Sequence, residues 1–149
     1  MKKQIISNTS QDTIELARKI GHRLRGGEVI VLKGDLGSGK TTFVSGLVDG
    51  AGSHDVVSSP TFMITKVYTT PKLKINHFDF YRLSKADLIE HELEEHFEDE
   101  ASVKVIEWPS MLNDVLPKDR LTLHFNYLED ASKRCIDISC SDKLKYLVE

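Results

Sequence analysis

At 149 residues the chain is most simply one domain, long enough to bury a real core. Its 40% hydrophobic and 29% charged residues place it with soluble globular proteins rather than with disordered or membrane-embedded chains. The net charge of −3 argues against nucleic-acid binding by bulk electrostatics, leaving only a local basic patch for such a role.

In chain order, Met1-Lys2-Lys3-Gln4 leads into no apolar stretch long enough for a signal peptide or a membrane span. Ile5-Ile6 opens a short strand. Ser10 is the expected N-cap of a helix from Gln11 to Leu24, closed by Gly26, with Ile14, Ala17, Ile20 and Leu24 as its buried stripe. After Gly26-Gly27 the apolar run from Glu28 to Leu32 reads as a buried strand.

That strand feeds Gly34-Asp35-Leu36-Gly37-Ser38-Gly39-Lys40-Thr41, which fits G-x-x-x-x-G-K-[ST] at every specified position. The residue types follow from the chemistry of holding a polyphosphate. Glycines let the backbone wrap closely, so that the N–H groups of residues such as Gly37, Ser38 and Gly39 point inward. Lys40 supplies a point charge for the β- and γ-phosphates, and the Thr41 hydroxyl can ligand magnesium. A helix starting near Lys40 adds its positive dipole end, with Phe43, Leu47 and Val48 on one face. Strand, glycine loop and helix come in the order a phosphate-binding loop requires.

Gly50-Ala51-Gly52-Ser53 ends that helix, and Pro60 forces Ser59 out of helical geometry, so Val56 to Phe62 is an extended loop entering a strand. Phe62–Thr69 and Lys74–Phe80 alternate as paired strands around Thr70-Pro71-Lys72, which makes the sheet mixed rather than purely parallel. Ser84 to about Glu100 is helical, with Leu88, Leu93 and Phe97 inward. Its seven acids between Glu90 and Glu100 form a solvated face, with docking of a partner as the competing role, and His91 and His96 lack metal-ligand spacing. Val103–Glu107 is an apolar strand ending in an acid. Pro109 to Leu116 is a short helix stopped by Pro117, and Arg120–Tyr127 and Arg134–Ser139 are two more strands around a turn at Glu129–Ser132. Cys135 and Cys140 would point to opposite faces of a strand, so no disulfide is expected between them. A reducing, cytoplasmic setting fits. The whole of residues 1–149 is expected to form a single P-loop ATPase domain, a three-layer αβα unit with a mixed, mainly parallel central sheet.

Hydrolysis needs more than a phosphate loop: a metal anchor and a group that positions water. Glu107 ends an apolar strand as the carboxylate of a Walker B strand does, at the edge where ligands of such sheets bind, and can orient water or hold a metal-bound water, against the alternative of a surface glutamate that merely ends a strand. Asp79, between Phe78 and Phe80, is the second candidate metal carboxylate, against the alternative of a turn-forming aspartate. Thr61 is either a switch hydroxyl sensing the γ-phosphate or a plain strand threonine. Trp108 can stack on a base or simply be structural.

Four segments together, Gly34–Thr42, Ser59-Pro60-Thr61-Phe62, His77-Phe78-Asp79-Phe80-Tyr81-Arg82-Leu83 and Ile106-Glu107-Trp108-Pro109, closely resemble the TsaE family of small bacterial P-loop ATPases. The first segment is widely shared, whereas the other three are specific in this order. The resemblance implies ATP and Mg2+ as ligands and a role in threonylcarbamoyladenosine modification of transfer RNA. By position it implies nucleotide contacts at Asp35, Leu36, Gly37, Ser38, Gly39, Lys40, Thr41, Thr42 and Trp108, a switch at Thr61, metal oxygens from Thr41, Asp79 and Glu107, and hydrolytic assistance from Glu107. Ser110 departs from it, standing where relatives often carry an acid. The implied partners are the TsaD and TsaB proteins.

Two further classes compete. A nucleotide-gated binding module with negligible hydrolysis shares every binding residue and differs only at Glu107. A small-molecule kinase would need an arginine-bearing lid to exclude water, and after Pro109 the chain offers only Arg120 and Arg134, both in strands. No [NT]-K-x-D guanine-reading motif occurs, which favours ATP over GTP.

Overall fold

The computed structural model describes residues 1–58, 65–80, 86–107 and 116–149, without the side chains of 86–90 and 92. Its strands are β1 (Lys2–Ser7), β2 (Val29–Lys33), β3 (Thr65–Thr69), β4 (Lys74–Asp79), β5 (Ser102–Glu107), β6 (Leu121–Tyr127) and β7 (Arg134–Cys140). The helices are α1 (Ser10–His22), α2 (Lys40–Gly50) and α3 (Ala86–Phe97), followed by a 3₁₀ turn over Asp142–Leu147.

All seven strands join one sheet in the order β1-β7-β6-β2-β5-β4-β3. The middle four, β6, β2, β5 and β4, run parallel; β3 is antiparallel to β4 on one margin, and on the other β7 is antiparallel to β6 and β1 to β7. This is the expected mixed sheet with a parallel centre. Every residue of β5 is buried, and so are the first four of β2, because helices cover both faces there. Strand β6 instead alternates buried and more exposed positions, as a strand covered on one face does.

One face carries α1 and α2, whose Ala17, Ile20, Phe43, Val44 and Leu47 pack with Ile30, Leu32, Val105 and Leu123. The opposite face buries Val29, Val31, Phe78, Phe80 and Ile106 with Leu93 of α3, and Phe97 packs against them. Three layers result. The two helices of the first layer approach closely. A Cβ on Gly46 would lie 2.6 Å from the Ile14 carbonyl oxygen, so only glycine permits this separation.

Several local expectations need correction. The N-cap of α1 is Thr9, not Ser10: its hydroxyl accepts from the Asp12 N–H at 3.2 Å, and Asp12 returns a bond to the Thr9 N–H. That reciprocal box requires an acid three residues after the cap, which Thr9 has and Ser10 does not. Helix α1 also stops at His22, two residues early. Helix α2 buries Val44, Gly46 and Gly50 besides the expected Phe43, Leu47 and Val48, because α1, as well as the sheet, packs against it. The 3₁₀ turn went unforeseen; it buries Leu144 and Leu147. Both cysteines are buried and free.

The extended segment around Thr61, the residues from Phe62 that were expected to begin β3, Ser84 and the side chain of Leu88, and Trp108 with most of the Pro109–Leu116 helix lie outside the described residues. Among the described residues no helix is long and apolar enough to cross a membrane.

Candidate functional site

The glycine loop leaves β2 at Lys33 and closes at the first residue of α2. Gly34 and Gly39 sit at φ 141° and 111°, in the left-handed region that side chains disfavour. A Cβ on Gly34 would also come within 2.6 Å of Ser38 Oγ. Asp35, Leu36 and Gly37 are exposed at the tip, whereas Ser38 and Lys40 are buried beneath it. Lys40 Nζ donates to the Gly34 carbonyl at 2.6 Å and the Asp35 carbonyl at 3.0 Å. Ser38 Oγ is buried with no partner among the described residues. Helix α2 begins with neither a side-chain cap nor an acid in its first turn, so its leading end keeps its positive character. Thr41 is exposed there and Thr42 half-buried.

Two residues from the far end of the chain hold this loop from outside. Tyr127 Oη donates to the Leu36 carbonyl at 3.1 Å, Arg134 Nε to Ser38 at 3.0 Å and Arg134 Nη2 to Gly37 at 3.4 Å. The guanidinium lies 4.1 Å from the centroid of the Tyr127 ring, and the two residues are register partners across β6 and β7. A planar trans peptide carries its C=O and N–H on opposite sides. Tethering the Leu36 and Ser38 carbonyls outward therefore turns the Gly37 and Gly39 N–H groups away from the strap, toward the space an anion would take. Sequence reasoning missed both residues. The only available signal was that Tyr127 and Arg134 face each other across a strand turn; that this hairpin neighbours β2 came from the fold.

The carboxylates arrive through strand order. Glu107 aligns with Leu32 across β5 and β2, and Asp79 aligns with Glu107 across β4 and β5. Neighbouring strands lie about 4.8 Å apart, so both acids stand within two strand spacings of the strand that feeds the loop. Residues in register share a face, and Leu32 faces α2; Glu107 and Asp79 do the same, at the end where β2 becomes the loop. Glu107 is buried and Asp79 half-buried. His77 Nε2 lies 2.9 Å from Glu107 Oε1. Burial, opposed by a bond to the Ser58 carbonyl and aided by the charge of Glu107, pushes the Tyr68 phenol above its ordinary range.

The structure thus brings the loop, Lys40, Thr41, Asp79 and Glu107 to one edge of the sheet, while Thr61 and Trp108 lie outside the described residues. The amides, lysine and orphaned serine hydroxyl fit a polyphosphate, and Thr41, Asp79 and Glu107 offer oxygens suited to a hard divalent cation. Among the described residues no group of three or more His, Cys, Asp or Glu could hold a metal ion. A cation here would complete its shell with phosphate oxygens and water, as magnesium does. On α3, His96 is engaged in packing: its ring meets Phe78 edge-on at 5.1 Å, and Nδ1 lies 3.4 Å from Asn76.

Residues 7–136 match the family model described as "Threonylcarbamoyl adenosine biosynthesis protein TsaE". The chain is 32% identical over 141 residues to the "tRNA threonylcarbamoyladenosine biosynthesis protein TsaE" of Bacillus subtilis (strain 168), covering 93% of this chain and 87% of that relative. To the protein of the same name in Treponema pallidum (strain Nichols) it is 35% identical over 135 residues, covering 86% and 94%. Its fold is similar to the crystal structure of Bacillus subtilus YdiB, with a TM-score of 0.78 and 27% identity over 99% of this chain and 91% of that one.

Proposed function

This chain belongs to the TsaE family of threonylcarbamoyl adenosine biosynthesis proteins, and from that premise we propose that it is a magnesium-dependent ATPase serving transfer-RNA modification in the cytoplasm with TsaD and TsaB. The observation that carries the reading is the strand register, which sets Glu107 beside the strand that ends in the phosphate loop and Asp79 beside Glu107.

In this reading Lys40 exchanges the Gly34 and Asp35 carbonyls for the β- and γ-phosphates, and the amides of Gly37 to Thr42 hold the remaining phosphate oxygens. Thr41 and Asp79 would hold a magnesium ion, whose chemistry would be to neutralise charge on the β- and γ-phosphates. Glu107 accepts a hydrogen bond from a water whose oxygen attacks the γ-phosphorus. As the bond to the β–γ bridging oxygen breaks, the water's proton leaves by way of Glu107 to the released phosphate. Thr61 and Trp108 enter only through the family likeness, as γ-phosphate sensor and base-side contact.

Turnover by the isolated chain is expected to be slow. Arg134, the arginine seen at the loop, points its nitrogens at loop carbonyls and so offers no cis arginine finger there. ATP turnover measured with and without purified TsaB–TsaD tests the proposal. Stimulated turnover that Lys40→Ala abolishes through lost ATP binding, and that Glu107→Gln slows while ATP stays bound, supports it. ATP binding without turnover, even with both partners present, replaces it with a nucleotide-gated binding module.

A further inference from the structure

We propose that His77 is a positioning residue for the hydrolytic step: its Nε2–H holds one oxygen of Glu107 so that the other is aimed at the attacking water. The inference rests on the hydrolytic reading of Glu107.

His77 stands on β4, two residues before Asp79 and on the same face as Glu107, with Val105 as its register partner. Both partners are enclosed: the side chain of His77 is 0% exposed and that of Glu107 is 7% exposed. A carboxylate so placed has little water to satisfy it, and a protein donor must take that part. The 2.9 Å contact to Oε1 supplies one. The other ring nitrogen, Nδ1, is buried with no partner among the described residues, and the Tyr68 ring lies 6.1 Å away between centroids. Among the described residues the ring's one hydrogen bond is therefore the bond to Glu107.

Packing alone does not account for this arrangement. A buried polar pair is commonly no more stabilising than apolar side chains of the same volume, and the unmatched Nδ1 adds a cost. Its return lies in geometry. A carboxylate tethered at one oxygen cannot swing about its last bond, so the second oxygen holds a fixed bearing, as ligands do when an outer partner orients them.

The test compares His77→Leu and His77→Gln with the unaltered chain in TsaB–TsaD-stimulated ATP turnover, with ATP affinity and melting temperature measured alongside. His77→Leu is expected to lower kcat by about 10- to 100-fold with ATP affinity within about twofold. His77→Gln carries an amide nitrogen to the ε position and should regain about tenfold of that loss. Adding His77→Leu to Glu107→Gln should slow turnover no further. If the leucine variant does not fold, His77→Asn takes its place, because its shorter amide stops short of Glu107. Unaltered kcat in the leucine or asparagine variant overturns the inference, and so do glutamine and leucine losses that simply follow melting temperature. An unaltered chain that binds ATP and never turns it over removes the hydrolytic reading of Glu107, and this inference with it.

Discussion

At the scale of single residues, the phosphate loop is shaped as much by Tyr127 and Arg134 as by its own glycines. The glycines make positive φ accessible, but accessible is not occupied: a flexible loop must be held if its amides are to converge before a ligand arrives. Three hydrogen bonds from the β6–β7 hairpin do this. A hydrogen bond from a charged group is worth about 1.5–3 kcal/mol and one between neutral groups about 1 kcal/mol. Arg134→Ala should therefore weaken nucleotide binding by about tenfold or more, and Tyr127→Phe by about fivefold. Titration with a fluorescent ADP analogue reads both. Affinities within about twofold of the unaltered chain would mean that the loop keeps its form without the strap.

At the scale of elements, α1 is the support against which α2 aims its first turn at the loop. The two helices meet through backbone rather than through large side chains. Gly46 faces Ile14 and Ala17, with a hypothetical Cβ 2.8 Å from that of Ala17 and 2.6 Å from the Ile14 oxygen. Helix propensity by itself would favour alanine at this position by about 1 kcal/mol. Crowding against backbone reverses the sign, because a carbonyl fixed in a helix cannot rotate away. Gly46→Ala should cost about 1–3 kcal/mol, seen as a lower urea midpoint with an unchanged slope. A gain in stability would show that the helices can separate freely.

For the whole molecule, closure comes from the two chain ends. The N-terminal ammonium donates to the Cys140 carbonyl at 2.8 Å, and β1 completes the sheet on β7. At the other end Tyr146 Oη donates to buried Glu28 at 2.6 Å, while the Arg25 guanidinium covers the Tyr146 ring at 4.1 Å. Glu28 also accepts the N–H groups of Arg25 and Gly26, so one carboxylate joins the entry to β2 with the C-terminal turn. Burial first, and then the bond to Glu28, push the Tyr146 phenol far above its ordinary value. The unfolded chain gives up that proton near about pH 10 and the folded chain later. This contribution is thus present below about pH 10 and is lost as pH rises beyond it. Tyr146→Phe should lose less stability than the unaltered chain between about pH 10 and pH 11 in urea unfolding. Equal losses would detach the phenol from the alkaline transition.

The phosphate loop, the buried strands leading to it and to Glu107, and the β3–β4 hairpin were legible in the residues alone, because each is coded by neighbours along the chain. Even there, choosing Thr9 over Ser10 as the helix cap depended on which hydroxyl has Asp12 three places on. Strand order was another matter: apolar runs at β2, β4 and β5 establish that these strands are buried, not that β5 lies between the other two. Only that order sets Asp79 beside Glu107, brings His77 to a residue 30 positions away and carries Arg134 to a carbonyl 96 positions away. Local sequence determines backbone geometry through dihedral preferences and short-range bonds. Which distant strands pair is decided by the burial and hydrogen bonding of the sheet as a whole, and it is that pairing which assembled the site.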